Sequence, residues 1–218
     1  MTGSKALALE AWCAAAGRQF TRFDYQGHGA SSGAFEDGTI GLWRADALAV
    51  LDEATSGPQI VVGSSMGGWI ACLLAVDRPE RIAGIVGIAP AVDFTQALLW
   101  PRMTDAARRQ IEEEGVWYRP SEYDPEPYPI TRRLIEEGRD HLLLPGPIPF
   151  DGPVRLLHGM LDDAVPWEHS LTVAAALRTT DVEVTLVKDG EHRLSRDSDL
   201  ERLLHVLQSV VGKVERND

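Results

Sequence analysis

The feature that most constrains this chain is the pentapeptide Gly-Ser-Ser-Met-Gly at residues 63–67, which lies between two apolar segments. The run before it, at residues 60–62, indicates a buried strand, and residues 66–76 indicate a helix. A G-x-S-x-G sequence between a strand and a helix predicts a sharp turn that exposes its serine, Ser65, as a nucleophile. Gly63 and Gly67 suit such a turn because larger neighbours would be crowded there. The alternative is a serine that only caps the helix.

Met66 follows the serine and begins the predicted helix. Backbone N–H groups in the first turn of a helix have no partner within the helix, and the helix dipole favours negative charge beside them. The Met66 N–H is therefore predicted to be an oxyanion-hole donor.

Helical and extended patterns alternate along most of the chain. Strands that alternate with helices form a parallel sheet with crossover helices. We therefore predict one α/β domain over residues 1–218, with a mostly parallel sheet and flanking helices. The predicted helices outside the segment described below are 6–16, 42–54, 66–76, 168–178 and 199–211, and the predicted strands are 19–24, 60–62, 82–89, 154–158 and 182–187.

A nucleophilic serine needs an imidazole that takes its proton and a carboxylate that orients the imidazole. Asp162 and Asp163 follow the predicted strand at residues 154–158, and His192 follows the strand at 182–187. The carboxyl ends of parallel strands meet at one edge of the sheet, so these side chains are expected near Ser65. The sequence thus predicts a Ser–His–Asp triad, and this reasoning leaves the choice between the two acids open.

Residues 94–151 interrupt the alternation between helix and strand. They contain two charged helical stretches, at 104–114 and 130–139, joined by a segment rich in Tyr and Pro at 118–129. A structureless loop of this length is unusual in a compact domain, which favours an inserted cap. Aromatic side chains in this region either line an acyl pocket or pack the cap onto the body. The candidates for substrate binding are Trp100, Trp117 and Tyr118, with Tyr123 and Tyr128 as further aromatics.

Composition limits the classes of binding partner and the cellular locations that we expect for this chain. A net charge of -12 argues against a nucleic-acid binder, which needs a basic surface to displace counterions from phosphates. The two cysteines favour reduced thiols, with a single disulfide as the alternative. Together with the lack of a signal-peptide pattern before the first helix, they favour a cytoplasmic location. No apolar run approaches the length of a membrane span, and no cluster has metal-ligand spacing. The oligomeric state is not indicated.

The motif around Ser65, the run at residues 158–166 and His192 together resemble the α/β-hydrolase superfamily. The resemblance covers nearly the whole chain and is closest to the group around α/β-hydrolase domain-containing protein 10 and its bacterial relatives. In the H-G-x-x-D-x-x-V-P pattern of that run, Asp162 matches the acid. The resemblance implies a serine hydrolase that cleaves carboxylic ester or thioester bonds, of small molecules or acyl-proteins, through an acyl-enzyme and without a cofactor. Transfer of the acyl group to an acceptor other than water is a further alternative.

The chain departs from the family pattern at its amino end. Met1 falls at the loop that follows a central strand of the family, so three strands expected before it are absent. That loop supplies the second oxyanion donor in the family. We therefore expect an amino-terminally truncated form or a misassigned start. The alternative function is an inactive α/β-hydrolase-like binding module.

Overall fold

Helices and strands alternate in the computed structural model, which describes residues 2–120 and 127–217. The body of the fold consists of elements whose apolar residues face a shared core. The helices are α1 (Ser4–Ala15), α2 (Ile40–Ala54), α3 (Met66–Asp77), α4 (Asp105–Glu114), α5 (Arg132–Glu137), α6 (Glu168–Ala176) and α7 (Asp197–Asn217). The strands are β1 (Gln59–Ser64), β2 (Ile82–Ile88), β3 (Val116–Arg119), β4 (Tyr128–Thr131), β5 (Val154–Gly159) and β6 (Val182–Val187).

The central sheet has four parallel strands in the order β1-β2-β5-β6. Parallel neighbours require crossover connections, and helices supply them between β1 and β2 and between β5 and β6. The carboxyl ends of all four strands therefore lie at one edge, with Ser64 opposite Ile88 and Gly159 opposite Val187. The predicted α/β fold with a mostly parallel sheet is confirmed.

The sheet is covered on both faces because successive strand residues point to opposite sides. Ile85 packs in a core with Trp43 of α2 and Trp69 of α3, all nearly inaccessible to solvent. Its neighbour Val86 belongs to the opposite core, which includes Leu203 of α7. Two helical layers thus enclose the sheet and fix the edge that carries Ser65.

The predicted strand at residues 19–24 is wrong. These residues have no strand pairing in the described structure, and β1 lies at the edge of the sheet. An extended segment becomes a strand only when a neighbour takes its backbone hydrogen bonds. Here Phe23 and Tyr25 instead pack ring to ring, with centroids 4.9 Å apart, and the Gln26 N–H donates to Asp46.

Between β2 and β5 the chain leaves the sheet and forms α4, a two-stranded antiparallel hairpin of β3 and β4, and α5. Both helices of this region were predicted, but the hairpin was not. The predicted helix at 130–139 begins later, at Arg132, because Ile130 pairs with Trp117 in the hairpin. Tyr123 lies outside the described residues. Across those described, none of the helices combines the length and apolar character that crossing a bilayer requires.

Candidate active site

Ser65 lies at the turn from β1 into α3 with φ 53° and ψ -121°, a backbone conformation that L-residues rarely adopt. Hydrogen bonds on both sides hold it there. Its N–H donates to the Ile88 carbonyl at 2.8 Å, and its own carbonyl accepts from the N–H groups of Gly68 and Ala91 at 2.9 and 3.0 Å. The surrounding structure therefore stabilises a strained turn, as is common at functional sites.

The space around the three glycines near Ser65 differs, so a side chain would clash at some of these positions and not at others. A Cβ on Gly63 would lie 2.2 Å from the Gly67 carbonyl oxygen, and a Cβ on Gly68 would lie 2.6 Å from Cβ of Pro90. A Cβ on Gly67 would meet nothing within 4 Å. Crowding therefore explains Gly63, as the sequence predicts, and Gly68. It does not explain Gly67, contrary to expectation, because a Cβ there would lie in open space.

The structure brings the three predicted side chains together. Nε2 of His192 lies 3.2 Å from Oγ of Ser65, and Nδ1 of His192 lies 2.7 Å from Oδ2 of Asp162. Asp162 and His192 follow β5 and β6, so the parallel sheet delivers all three to its carboxyl edge. The second acid, Asp163, is exposed, and the contact with His192 is made by Asp162.

The Asp162 side chain is fully buried, yet its environment favours the carboxylate. Oδ1 accepts hydrogen bonds from the N–H groups of Ala164 and Val165 at 2.9 and 2.8 Å. Burial by itself raises the pKa of Asp162, but hydrogen bonds from His158, His192 and the Val165 N–H outweigh it and hold that pKa well below its usual range. Asp162 is thus a permanent anion beside the His192 ring.

Met66 is the first residue of α3, so its N–H has no carbonyl one turn earlier in the helix to bond. Met66 also lines the same cavity as Ser65. The position suits a donor to an oxygen that becomes negative when Ser65 attacks a carbonyl.

A cavity of about 260 Å³ opens beside Ser65. Its walls are mostly apolar and come from both the body and the segment between β2 and β5. Two arginines, Arg102 and Arg119, are the charged side chains among its described lining. The apolar and aromatic lining consists of Trp43, Met66, Ala91, Phe94, Leu98, Leu99, Met103, Trp117, Tyr128, Ile130, Leu134, Ala164 and Val165.

The predicted substrate-binding aromatics lie in different places. Trp117 lines the cavity, and Trp100 and Tyr118 do not. Trp100 packs against a cluster around α4, with the Arg108 guanidinium 5.6 Å from its ring centroid, and the Tyr118 side chain is about half exposed. Sequence reasoning missed Trp43, which reaches the cavity from α2. Its apolar position in a helix pattern indicates burial but gives no signal of which surface it faces.

Among the residues that the structure describes, no group of three or more His, Cys, Asp or Glu side chains is arranged to hold a metal ion.

Comparison with known proteins places these features in a family. Residues 4–127 match the model of the family described as serine aminopeptidase, S33. The bovine mitochondrial palmitoyl-protein thioesterase ABHD10 is 44% identical over 217 residues, which are 98% of this chain and 70% of that protein.

Two solved structures resemble the whole described fold. A protein described as a hydrolase, from Agrobacterium vitis S4, superposes with a TM-score of 0.93 at 45% identity. The superposition covers 96% of this chain and 83% of that protein's chain. Mouse α/β-hydrolase domain-containing protein 10 superposes with a TM-score of 0.91 at 41% identity, over 98% of this chain and 86% of that one.

Proposed function

The chain belongs to the serine aminopeptidase S33 family of α/β-hydrolases and is a hydrolase of ester or thioester bonds, and from this premise we propose that Ser65, His192 and Asp162 are its catalytic triad. The observation that carries the proposal is the hydrogen-bonded series from Oγ of Ser65 through both ring nitrogens of His192 to Oδ2 of Asp162. Each contact has the partners that nucleophilic catalysis by serine requires.

In the proposed reaction, Oγ of Ser65 attacks the substrate carbonyl carbon while Nε2 of His192 takes the hydroxyl proton. The Asp162 carboxylate stabilises the imidazolium, and the Met66 N–H donates to the oxyanion. The carbon–oxygen or carbon–sulfur bond then breaks, and His192 protonates the departing alcohol or thiol. Water, deprotonated by His192, attacks the resulting acyl-enzyme and releases the acid, which restores Ser65.

The cavity supports a fatty acyl group as the part of the substrate that is recognised. Ser65 and Met66 line the same cavity as apolar side chains such as Phe94, Leu134 and Trp117. Burial of methylene groups against such a surface contributes roughly 0.8 kcal/mol each. Because the mammalian relative is named a palmitoyl-protein thioesterase, we propose acyl thioesters of proteins and related acyl esters as substrates, with residues 94–151 as the cap over the acyl chain.

An inactive binding module, the alternative from the sequence, rests on the second oxyanion donor of the family pattern and is supported by no feature of the described structure. The Ser65 turn keeps its strained conformation, and Ser65 lines the cavity. Strain of this kind costs about 1–3 kcal/mol and persists where the surroundings over-determine it.

We propose that the protein is located in a reducing compartment. The cytoplasm stays our prediction of which compartment it is. Cys13 and Cys72 are both buried and unpaired, which suits such a compartment. The relative cited above is named mitochondrial. Fractionation of the native cells, followed by detection of the protein, distinguishes a cytoplasmic from a mitochondrial location.

The proposed function is tested by measuring the turnover of thioesters and p-nitrophenyl esters by wild type and Ser65→Ala. Each substrate type is used with acetyl, octanoyl and palmitoyl chains. We expect wild-type turnover that favours the longer chains, and a loss of kcat of about 10⁵-fold or more in the variant. Ser64→Ala is the matched control, because Ser64 is the last residue of β1 and the hydrogen bond to Nε2 of His192 comes from Ser65. Equal turnover by wild type and Ser65→Ala contradicts the proposal.

A further inference from the structure

His158 is a buried histidine that the reaction as described leaves without a role. It lies in β5, has no solvent exposure, and both of its ring nitrogens have partners. Nε2 lies 3.1 Å from Oδ2 of Asp162 and 3.0 Å from the carbonyl oxygen of Val165. Nδ1 lies 2.6 Å from Oγ of Ser170. The ring is therefore fixed from both sides.

The partners of His158 determine where its proton lies. A carboxylate and a carbonyl oxygen can only accept hydrogen bonds. With both at Nε2, that nitrogen must carry the proton and donate it. The hydroxyl of Ser170 can donate to Nδ1, so the neutral ring satisfies every contact. His158 is thus a donor aimed at Asp162.

The contact completes the hydrogen bonding of the Asp162 carboxylate. A carboxylate has about four lone-pair sites for hydrogen bonds. Oδ1 accepts from two backbone N–H groups, and Oδ2 accepts from His192 and His158. His158 and His192 therefore share one oxygen, and the carboxylate cannot rotate without breaking a bond to one of them.

We propose that His158 is a positioning residue for the hydrolysis, which holds Oδ2 of Asp162 in place and limits the basicity that this oxygen presents to His192. The inference rests on the proposed triad. Without the donor, the Asp162 charge is less well balanced, so it stabilises the imidazolium of His192 more strongly. The neutral form of His192 that accepts the Ser65 proton is then reached only at higher pH.

A purely structural role for His158 predicts something different. A ring that only fills space and satisfies the Val165 carbonyl affects the amount of folded protein and its thermal stability. It does not affect the pH at which the folded enzyme becomes active. The pH profile of kcat/KM therefore separates the two roles.

The test compares His158→Gln with His158→Asn, which differ by one methylene group. The glutamine side chain of the first variant places an N–H donor near the position of Nε2 and keeps the contact with Asp162. The asparagine side chain of the second variant is shorter and reaches only toward Ser170. We expect His158→Asn to lower kcat for a p-nitrophenyl ester about tenfold with little change in KM, as for loss of one charged hydrogen bond. Its pH of half-maximal kcat/KM is expected to rise by about half a unit, and His158→Gln is expected to recover most of both effects.

His169→Asn is the matched control. His169 is also buried on the neighbouring helix, but its Nε2 donates to the Val92 carbonyl and not to Asp162. We expect a lower melting temperature and an unchanged pH midpoint. The proposal is overturned if the pH of half-maximal kcat/KM in His158→Asn is unchanged or moves to lower pH.

One measurement needs no variant. In wild type with ¹⁵N-labelled histidine, Nε2 of His158 is expected to be protonated throughout the pH range of activity, and an unprotonated Nε2 overturns the proposal. The proposed function fails separately, if wild-type turnover does not depend on Ser65. Ser65-dependent turnover with identical pH profiles in His158→Asn and wild type defeats the positioning role alone.

Discussion

The catalytic edge of the sheet, formed by the loops after β1, β5 and β6, and the described part of the insertion that we propose over residues 94–151 both contribute residues beside Ser65. Different contacts hold these two regions in place. The catalytic edge is fixed by parallel strand pairing. The insertion is held to the body by the packing of residues such as Leu134 in the shared core, and by side chains that bond distant backbone groups. The Asp93 carboxylate accepts from the N–H groups of Leu143 and Leu144, Glu137 accepts from the Gly41 N–H, and Trp69 donates to the His141 carbonyl.

This difference separates the chemistry from the choice of substrate. Reacting groups need positions fixed to a fraction of an ångström, which packed strands provide. Walls of a substrate cavity need shape, and a segment outside the sheet can change shape without moving the strands. Changes at the catalytic edge should therefore lower turnover of every substrate. Changes in the insertion should alter the ranking of substrates.

The largest expected effect is at the catalytic edge. His192→Ala removes the ring nitrogen that lies within hydrogen-bond distance of Oγ of Ser65 and that we propose takes its proton. We expect kcat to fall about 10⁵-fold for acetyl and palmitoyl substrates alike, measured with p-nitrophenyl esters.

His205→Ala is the control for this change, because His205 is exposed on α7. We expect it to retain wild-type turnover. A His192→Ala enzyme that loses activity only toward long chains would place this residue with the cavity wall instead of the chemistry.

A smaller effect, restricted to long chains, is expected in the insertion. Leu99 lines the cavity and is partly buried, so Leu99→Trp fills space that the acyl chain needs. We expect kcat/KM for a palmitoyl thioester to fall about tenfold, and that for an acetyl thioester to change less than about twofold.

Leu171→Trp makes the same exchange on the exposed side of α6 and should leave both substrates unaffected. Equal losses with acetyl and palmitoyl substrates in Leu99→Trp would mean that the insertion takes part in the chemistry, and would remove the distinction between the two regions.

The smallest effect concerns two buried carboxylates, Asp162 at the catalytic edge and Asp93 in the body directly before the insertion. Burial raises the pKa of Asp93, although the Leu143 and Leu144 N–H groups offset part of the rise. The pKa of Asp162 is lowered, because the hydrogen bonds to its carboxylate outweigh burial. The two groups therefore contribute to the pH dependence of stability with opposite signs.

The stabilisation from Asp162 is complete above its usual pKa of about 3.9 and is lost as the pH falls below it. The ionised Asp93 carboxylate is penalised at neutral pH, and the penalty disappears as the pH falls through its raised pKa. Between about pH 6 and about pH 3, Asp162→Asn should lose less free energy of unfolding than wild type, by about 1 kcal/mol. Over the same range Asp93→Asn should lose more free energy of unfolding than wild type. Urea unfolding at the two pH values measures this, and the same sign in both variants would contradict the assignment.

The same contrast explains what the sequence predicted. The body follows from local patterns, so β6 is predicted to the residue at 182–187, and Ser65 and His192 follow from their places after strands. Placement after a strand left Asp162 and Asp163 as alternatives, and the resemblance to the family selected Asp162. The strand at 19–24 failed because strand formation depends on a neighbour in space. Its apolar and aromatic residues are compatible with a strand but do not supply that neighbour.

The insertion was predicted only as helices. The β3–β4 hairpin depends on pairing between residues such as Trp117 and Ile130, and neither segment alternates strongly enough to indicate it. The contact of Trp43 with the cavity and that of His158 with Asp162 depend on distances across the fold. Periodicity identifies both residues as buried and cannot say what they touch.

The central claim is that Ser65 is an activated nucleophile, and labelling with a fluorophosphonate tests it most directly. The reagent phosphonylates a serine only when a neighbouring base activates it. Mass spectrometry of wild type is expected to find one adduct, on the peptide that contains Ser65, and none on folded Ser65→Ala or His192→Ala. Folded wild type without an adduct, or with an adduct on another residue, would contradict the account.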